Sequence, residues 1–146
     1  MKGTDPQDIV RQAFEAVSSD DMKSYKQLLA EKFVMHDNDD EPVRGKENAA
    51  DYFRQYRKAF PDMQVKIDGD VIASGDTCAT RWTVTGTHEG ELLGVAPTHK
   101  KVVVHGMEID RIRDGKIAES WQSWDHFSLF QQLGEMPSEQ RVLARH

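Results

Sequence analysis

Three observations in the sequence predict an α+β fold: a curved antiparallel sheet with helices on its concave face. Apolar residues recur at helical spacing as far as Phe60. From Met63 to Trp124 they alternate as in strands. The chain has 146 residues, 38% hydrophobic and 30% charged, which suits one domain with a sizeable core.

Each element has its own signal. Asp5 and Pro6 start the first helix, with Asp8 completing a box-like pattern and Ile9, Val10, Ala13, Phe14 and Val17 as its apolar face. SSDD breaks that helix and caps a second, with Met22, Tyr25, Leu28 and Leu29 at helical spacing. FVMHD, Phe33 to Asp37, reads as a short strand, and NDDEPVRG as a loop. A third helix covers Lys46 to Ala59. Strands follow in MQVKIDGDVIAS, DTCATRWTVTGTHEG, KVVVHGMEIDRIR and KIAESWQSW. Asp114-Gly115 is a two-residue hairpin signal between the last two. HFSLFQQL is a short helix, so residues 1–134 form the domain and 135–146 a polar tail.

Composition narrows the function. The net charge is −6 with no basic run, which argues against nucleic acid as a partner. No apolar run approaches the roughly 20 residues of a membrane span. MKGTDPQD has no apolar h-region, so no signal peptide is expected. The single cysteine, Cys78, excludes an intrachain disulfide, fits a reducing cytoplasm and reads as a half-buried strand residue. The histidines form no H-x-x-x-H or H-x-H pair, DNDDE lacks calcium-loop spacing, and no metal site is expected. His88 and His126 read as exposed. A sheet curved against helices leaves a blind cavity suited to a small apolar ligand.

Strand parity distributes the last hairpin. With Arg113 opposite Lys116, one face carries His105, Met107, Ile109 and Arg111 beside Ala118, Ser120, Gln122 and Trp124. The other carries Val104, Glu108, Asp110 and Ile112 beside Ile117, Glu119, Trp121 and Asp125. One bulge would reverse this for everything beyond it, and Gly106 is a candidate site.

FPD at Phe60 to Asp62, RWTVTGTHEGELLG, Pro97-Thr98, IDRIRDGKIAESW and WD leading into LFQQLG resemble the SnoaL-like polyketide cyclases, also called ester cyclases. These belong to the nuclear-transport-factor-2-like superfamily. The resemblance implies a cone-shaped sheet wrapped around three N-terminal helices, with a short C-terminal helix. It implies ring closure by an intramolecular aldol step without metal or organic cofactor. It puts the acid/base carboxylate at Asp125, and it implies homodimers or homotetramers through the sheet. Ser120, Ala96, His99 and His105 depart from the family pattern.

An aldol closure removes a proton from a carbon beside a carbonyl and protonates an oxygen as the new bond forms. A carboxyl whose pKa is raised by apolar burial can do both. Asp125, with Trp121, Trp124 and Phe127 nearby in sequence, is the candidate; it is equally suited to capping the last helix. Candidates for binding a small apolar or aromatic carbonyl ligand are His36, Asn38, Arg81, His105, Gln122, Trp124, Phe53 and Tyr56. Two other functions stay open: a non-catalytic small-molecule binding domain, and a hydrolase or isomerase. The latter wants a second pocket carboxylate, for which Asp110, Glu108 and Glu119 are the choices.

Overall fold

The computed structural model describes residues 5–38 and 40–135. In chain order they form α1 (Pro6–Ser18), α2 (Met22–Gln27), β1 (Leu29–Asp37), β2 (Val43–Arg44) and α3 (Lys46–Ala59), then β3 (Gln64–Ser74), β4 (Thr77–Thr87), β5 (Lys101–Arg113), β6 (Lys116–Trp124) and α4 (His126–Leu133). The α+β architecture is the expected one, a curved, unclosed six-stranded sheet in the order β2-β1-β6-β5-β4-β3 with three helices ahead of it and one behind. Of the polar tail expected over 135–146, all but Glu135 lies outside the described residues.

Local chemistry explains most boundaries. Asp21 caps α2 by accepting from Ser24 N at 3.0 Å. Asp5 precedes α1 but makes no side-chain cap bond; Pro6 carries that start. Asp114 and Gly115 take φ of 51° and 74°, as a tight β5–β6 turn requires. Leu29 leaves α2 to open β1, so this strand is longer than FVMHD suggests. Val43 and Arg44, read as loop, pair with β1. β1 runs parallel to β6, which makes the sheet mixed rather than wholly antiparallel.

The core lies between the helices and the concave face of the sheet. Ile9, Val10 and Phe14 of α1 meet Phe33 and Met35 of β1, Cys78 and Trp82 of β4, and Val102 and Val104 of β5 in one apolar cluster. Cys78 is fully buried rather than half-buried, and burial pushes its thiol pKa up, which disfavours a nucleophilic thiolate. His88 also corrects its expectation. It is fully buried, with Thr98 N donating to Nδ1 at 3.1 Å and Phe60 against the ring.

One irregularity decides what faces the core. Arg111 pairs with Glu119 but Ile112 pairs with Ile117, so Ala118 is an extra residue in β6. Beyond it the parity reverses, and Asp110 faces Ser120, Glu108 faces Gln122, and Gly106 faces Trp124. Gly106 is not a bulge, since it pairs regularly with Trp82 and Trp124. A Cβ there would lie 2.3 Å from Trp82 Cζ2, so the glycine makes room for the indole.

Candidate active site

The curved sheet and the helices enclose a cavity of about 120 Å³. Phe14, Tyr25, Phe53, Phe60, Trp82 and Leu129 give it apolar walls, contributed by four helical segments and the sheet. Its polar lining comes mainly from adjacent strands: Glu108 and Asp110 of β5, Ser120 and Gln122 of β6. The Ala118 bulge brings these four to one face.

Glu108 and Asp110 form the chemical centre. Asp110 is 1% exposed; Glu108 touches the cavity space but is otherwise enclosed by protein. Ser120 Oγ donates to Asp110 Oδ1, and the Glu108 side chain bonds to the same carboxyl. Asp110 Oδ2 receives no ordinary N–H or hydroxyl donor among the described residues. Two carboxyls in contact cannot both ionise cheaply, so the pair holds on to a proton more tightly than a lone carboxyl does. Burial raises the Glu108 pKa well above the usual carboxylate range, and the charge and hydrogen bond of Asp110 push it further. Burial also raises Asp110, opposed by its bonds from Glu108 and Ser120. Tyr25 is pushed up as well, first by burial and then by Glu108 and Asp110. At neutral pH such a pair can present an acid and a base side by side.

A second network backs the cavity. Asp37, 1% exposed, accepts from Tyr52 Oη at 2.7 Å and from Trp124 Nε1 at 2.8 Å. Gln122 Nε2 donates to Tyr52 Oη at 3.0 Å, and Tyr56 also bonds to Tyr52. Burial, followed by Tyr56 and Asp37, raises the Tyr52 pKa well above the ordinary phenol value.

The structure brings together Gln122, Trp124, Phe53 and Tyr56 of the expected residues, all on the cavity. The other candidates stand elsewhere. Asp125 is exposed outside the cavity lining and caps α4, accepting from Ser128 N at 2.8 Å. The bulge turns Glu119 and Trp121 outward, while Glu108, Asp110, Ile112 and Ile117 of the same expected face stay inward. His105 alternates with buried Val104 and so lies on the convex face, exposed and 2.9 Å from Thr83 Oγ1, while the bulge takes Gln122 to the opposite face. Arg81 is exposed on the convex face too. His36 stacks on Trp121 with centroids 5.5 Å apart and meets Glu119 Oε2 at 2.7 Å, away from the cavity. Asn38 holds the β6 backbone instead of ligand: Trp124 N donates to its Oδ1 at 3.0 Å. Glu119, a candidate second carboxylate, lies outside with Arg111 and His36, whereas Glu108 and Asp110 are inside.

Sequence reasoning passed over Ser120, Asp37 and Tyr52 as site residues. Ser120 was noted only as a departure, and no sequence pattern joins Asp37 to Tyr52. Among the described residues no group of three or more His, Cys, Asp or Glu is placed to hold a metal ion. Nor is any helix among them long and apolar enough to cross a membrane.

Several solved structures share this architecture. A putative hydroxylase, AclR from Streptomyces galilaeus, is 30% identical with a TM-score of 0.80, over 90% of this chain and 97% of that one. A putative polyketide cyclase, IdmH from Streptomyces antibioticus, is 31% identical with a TM-score of 0.78, over 89% and 99%. TsrD from Streptomyces laurentii is 25% identical with a TM-score of 0.79, over 89% and 95%. No curated protein matches the chain. The fold is that of the nuclear-transport-factor-2-like superfamily. The SnoaL-like polyketide cyclase model spans residues 7–133, and the chain belongs to that family.

Proposed function

We propose that the protein is an acid–base enzyme acting on a small apolar carbonyl compound, with an intramolecular aldol closure as its reaction. One observation carries this reading: the contacting carboxyls of Glu108 and Asp110 in an apolar cavity. The ionised member takes a proton from the carbon beside a carbonyl. The resulting enolate attacks a second carbonyl carbon and forms one C–C bond. The alkoxide left behind takes a proton from the pair, which returns to its starting charge. Protons and one bond pair move, so no electron donor or acceptor is consumed. The acid/base role expected of Asp125 passes in this reading to Glu108 and Asp110.

Exchange of the α-protons of 2-tetralone in D₂O, followed by NMR, tests this without the natural substrate. The protein should accelerate the exchange and Glu108→Gln should remove the acceleration. Exchange at the buffer rate with wild-type protein would leave the binding-domain reading in its place. The second pocket carboxyl also favours a hydrolase, since one member could activate water while the other protonates the leaving group. ¹⁸O from labelled water entering the product would select that reaction over ring closure.

Self-association through the sheet remains our proposal for the partner. Met107 and Ile109 are 61% and 45% exposed on its convex face, beside Trp121. Sedimentation of wild type and Met107→Glu checks it; an unchanged monomer in both refutes it.

A further inference from the structure

Asp37 is buried, takes part in no proton transfer described above, and is absent from the cavity lining. Its two oxygens each take one donor, Trp124 Nε1 on Oδ1 and Tyr52 Oη on Oδ2. A carboxylate only accepts, and Tyr52 has a single hydroxyl proton, which is thereby committed to Asp37. Toward every other neighbour Tyr52 Oη is an acceptor. Gln122 therefore turns Nε2 toward it. Turning the amide over would set its carbonyl oxygen against a hydroxyl oxygen with no proton left to give, a repulsive contact in a poorly solvated place. Oε1 is held on the side away from Tyr52. Gln122 lines the cavity directly across from Glu108 on the neighbouring strand.

We propose that Asp37 is a positioning residue for specificity: through Tyr52 it fixes the polarity of the Gln122 amide, so that the cavity selects ligands presenting a hydrogen-bond donor beside the group that meets Glu108 and Asp110. The ligand class is then a carbonyl compound with a neighbouring hydroxyl or enol O–H. The carbonyl accepts from the protonated carboxyl, and the O–H donates to Gln122 Oε1. This deepens the reading of the cavity as a substrate site and rests on it.

Indole and benzofuran test it, being nearly the same shape and differing in an N–H donor. Wild-type protein, titrated by NMR with each, should prefer indole by about tenfold, the worth of one good hydrogen bond. Tyr52→Phe frees the amide to turn, and the preference should fall to near unity. Gln122→Met leaves Asp37 with both of its donors and should abolish the preference too; it decides the matter alone if Tyr52→Phe does not fold. A preference retained in Gln122→Met, or absent from wild type, overturns the proposal. If neither compound binds wild type, the substrate-site reading falls with it. Donor preference without Glu108-dependent proton exchange would defeat only the catalytic reading.

Discussion

Two carboxylate sites in this molecule have opposite surroundings in sequence and in space. Asp125 has Trp124 and His126 as chain neighbours, with Trp121 and Phe127 close by, yet it is exposed and binds Ser128 N. Phe127 beside it is 63% exposed. Glu108 and Asp110 stand among Gly106, Met107, Ile109 and Arg111 with no aromatic neighbour in sequence, yet they lie in an aromatic-walled cavity. Aromatic residues beside a carboxylate in the chain do not bury it, because successive residues leave a strand on opposite faces. What buries a carboxylate is what crosses over from other elements. Here that is Tyr25 from α2, Ser120 from β6 and the wall of α1 and α3.

The most damaging way to break this contrast is to insert one alanine after Ala118. With one extra residue still unpaired there, everything beyond the insertion slips by one, turning Ser120, Gln122 and Trp124 outward and Asp125 toward the core. We expect loss of the cooperative unfolding transition and of the near-UV signal from packed aromatics. A folded insertion variant with native near-UV dichroism would mean that the bulge can widen to take up the added residue. Next in size is Glu108→Gln, which should lower the α-proton exchange rate by at least about a hundredfold, while circular dichroism stays native.

The third effect is on stability against pH. The folded chain keeps protons on the Glu108–Asp110 pair that the unfolded chain releases once pH passes the ordinary carboxyl range. Stability from this source is fully present below that range and is lost as pH climbs through the raised folded-state values. Urea midpoints should therefore decline from acid toward neutral pH, and Glu108→Gln should flatten the decline. An equal slope in both proteins would show that the pair is not the origin. The smallest effect belongs to Asp125→Ala. It should cost about 1 kcal/mol, the worth of an N-cap, and leave the exchange rate within about twofold. A large loss of exchange in this variant would return the acid/base role to Asp125.

Much of the fold was legible because local signals agreed. Pro6 placed α1, the apolar spacing gave α3 its observed bounds, and Asp114-Gly115 placed the turn. The parallel pairing of β1 with β6 was not legible, since it joins segments far apart in the chain. For the site, Gln122, Trp124, Phe53 and Tyr56, expected as ligand-binding residues, line the cavity. Parity set Glu108 and Asp110 on the face opposite Gln122 because nothing marks Ala118 as an extra residue; it has neither the glycine nor the turn chemistry that usually advertises a bulge. Arg81 and His105 lie on the convex face by plain alternation with Trp82 and Val104, and His36 lies there beside Trp121.

That extra residue also sets a condition on comparing this chain with its relatives. A homologue with the same number of residues between the hairpin turn and the last tryptophan but no bulge would align well by letters while its matched columns beyond that point faced opposite ways. Its acid could then sit in the column of Asp125 and serve the cavity, while here the same column serves a helix end. In this family a role passes between two proteins by inward or outward address along the strand, and the place to verify the address is the pairing of the stretch from Lys116 to Ser120 with the facing strand.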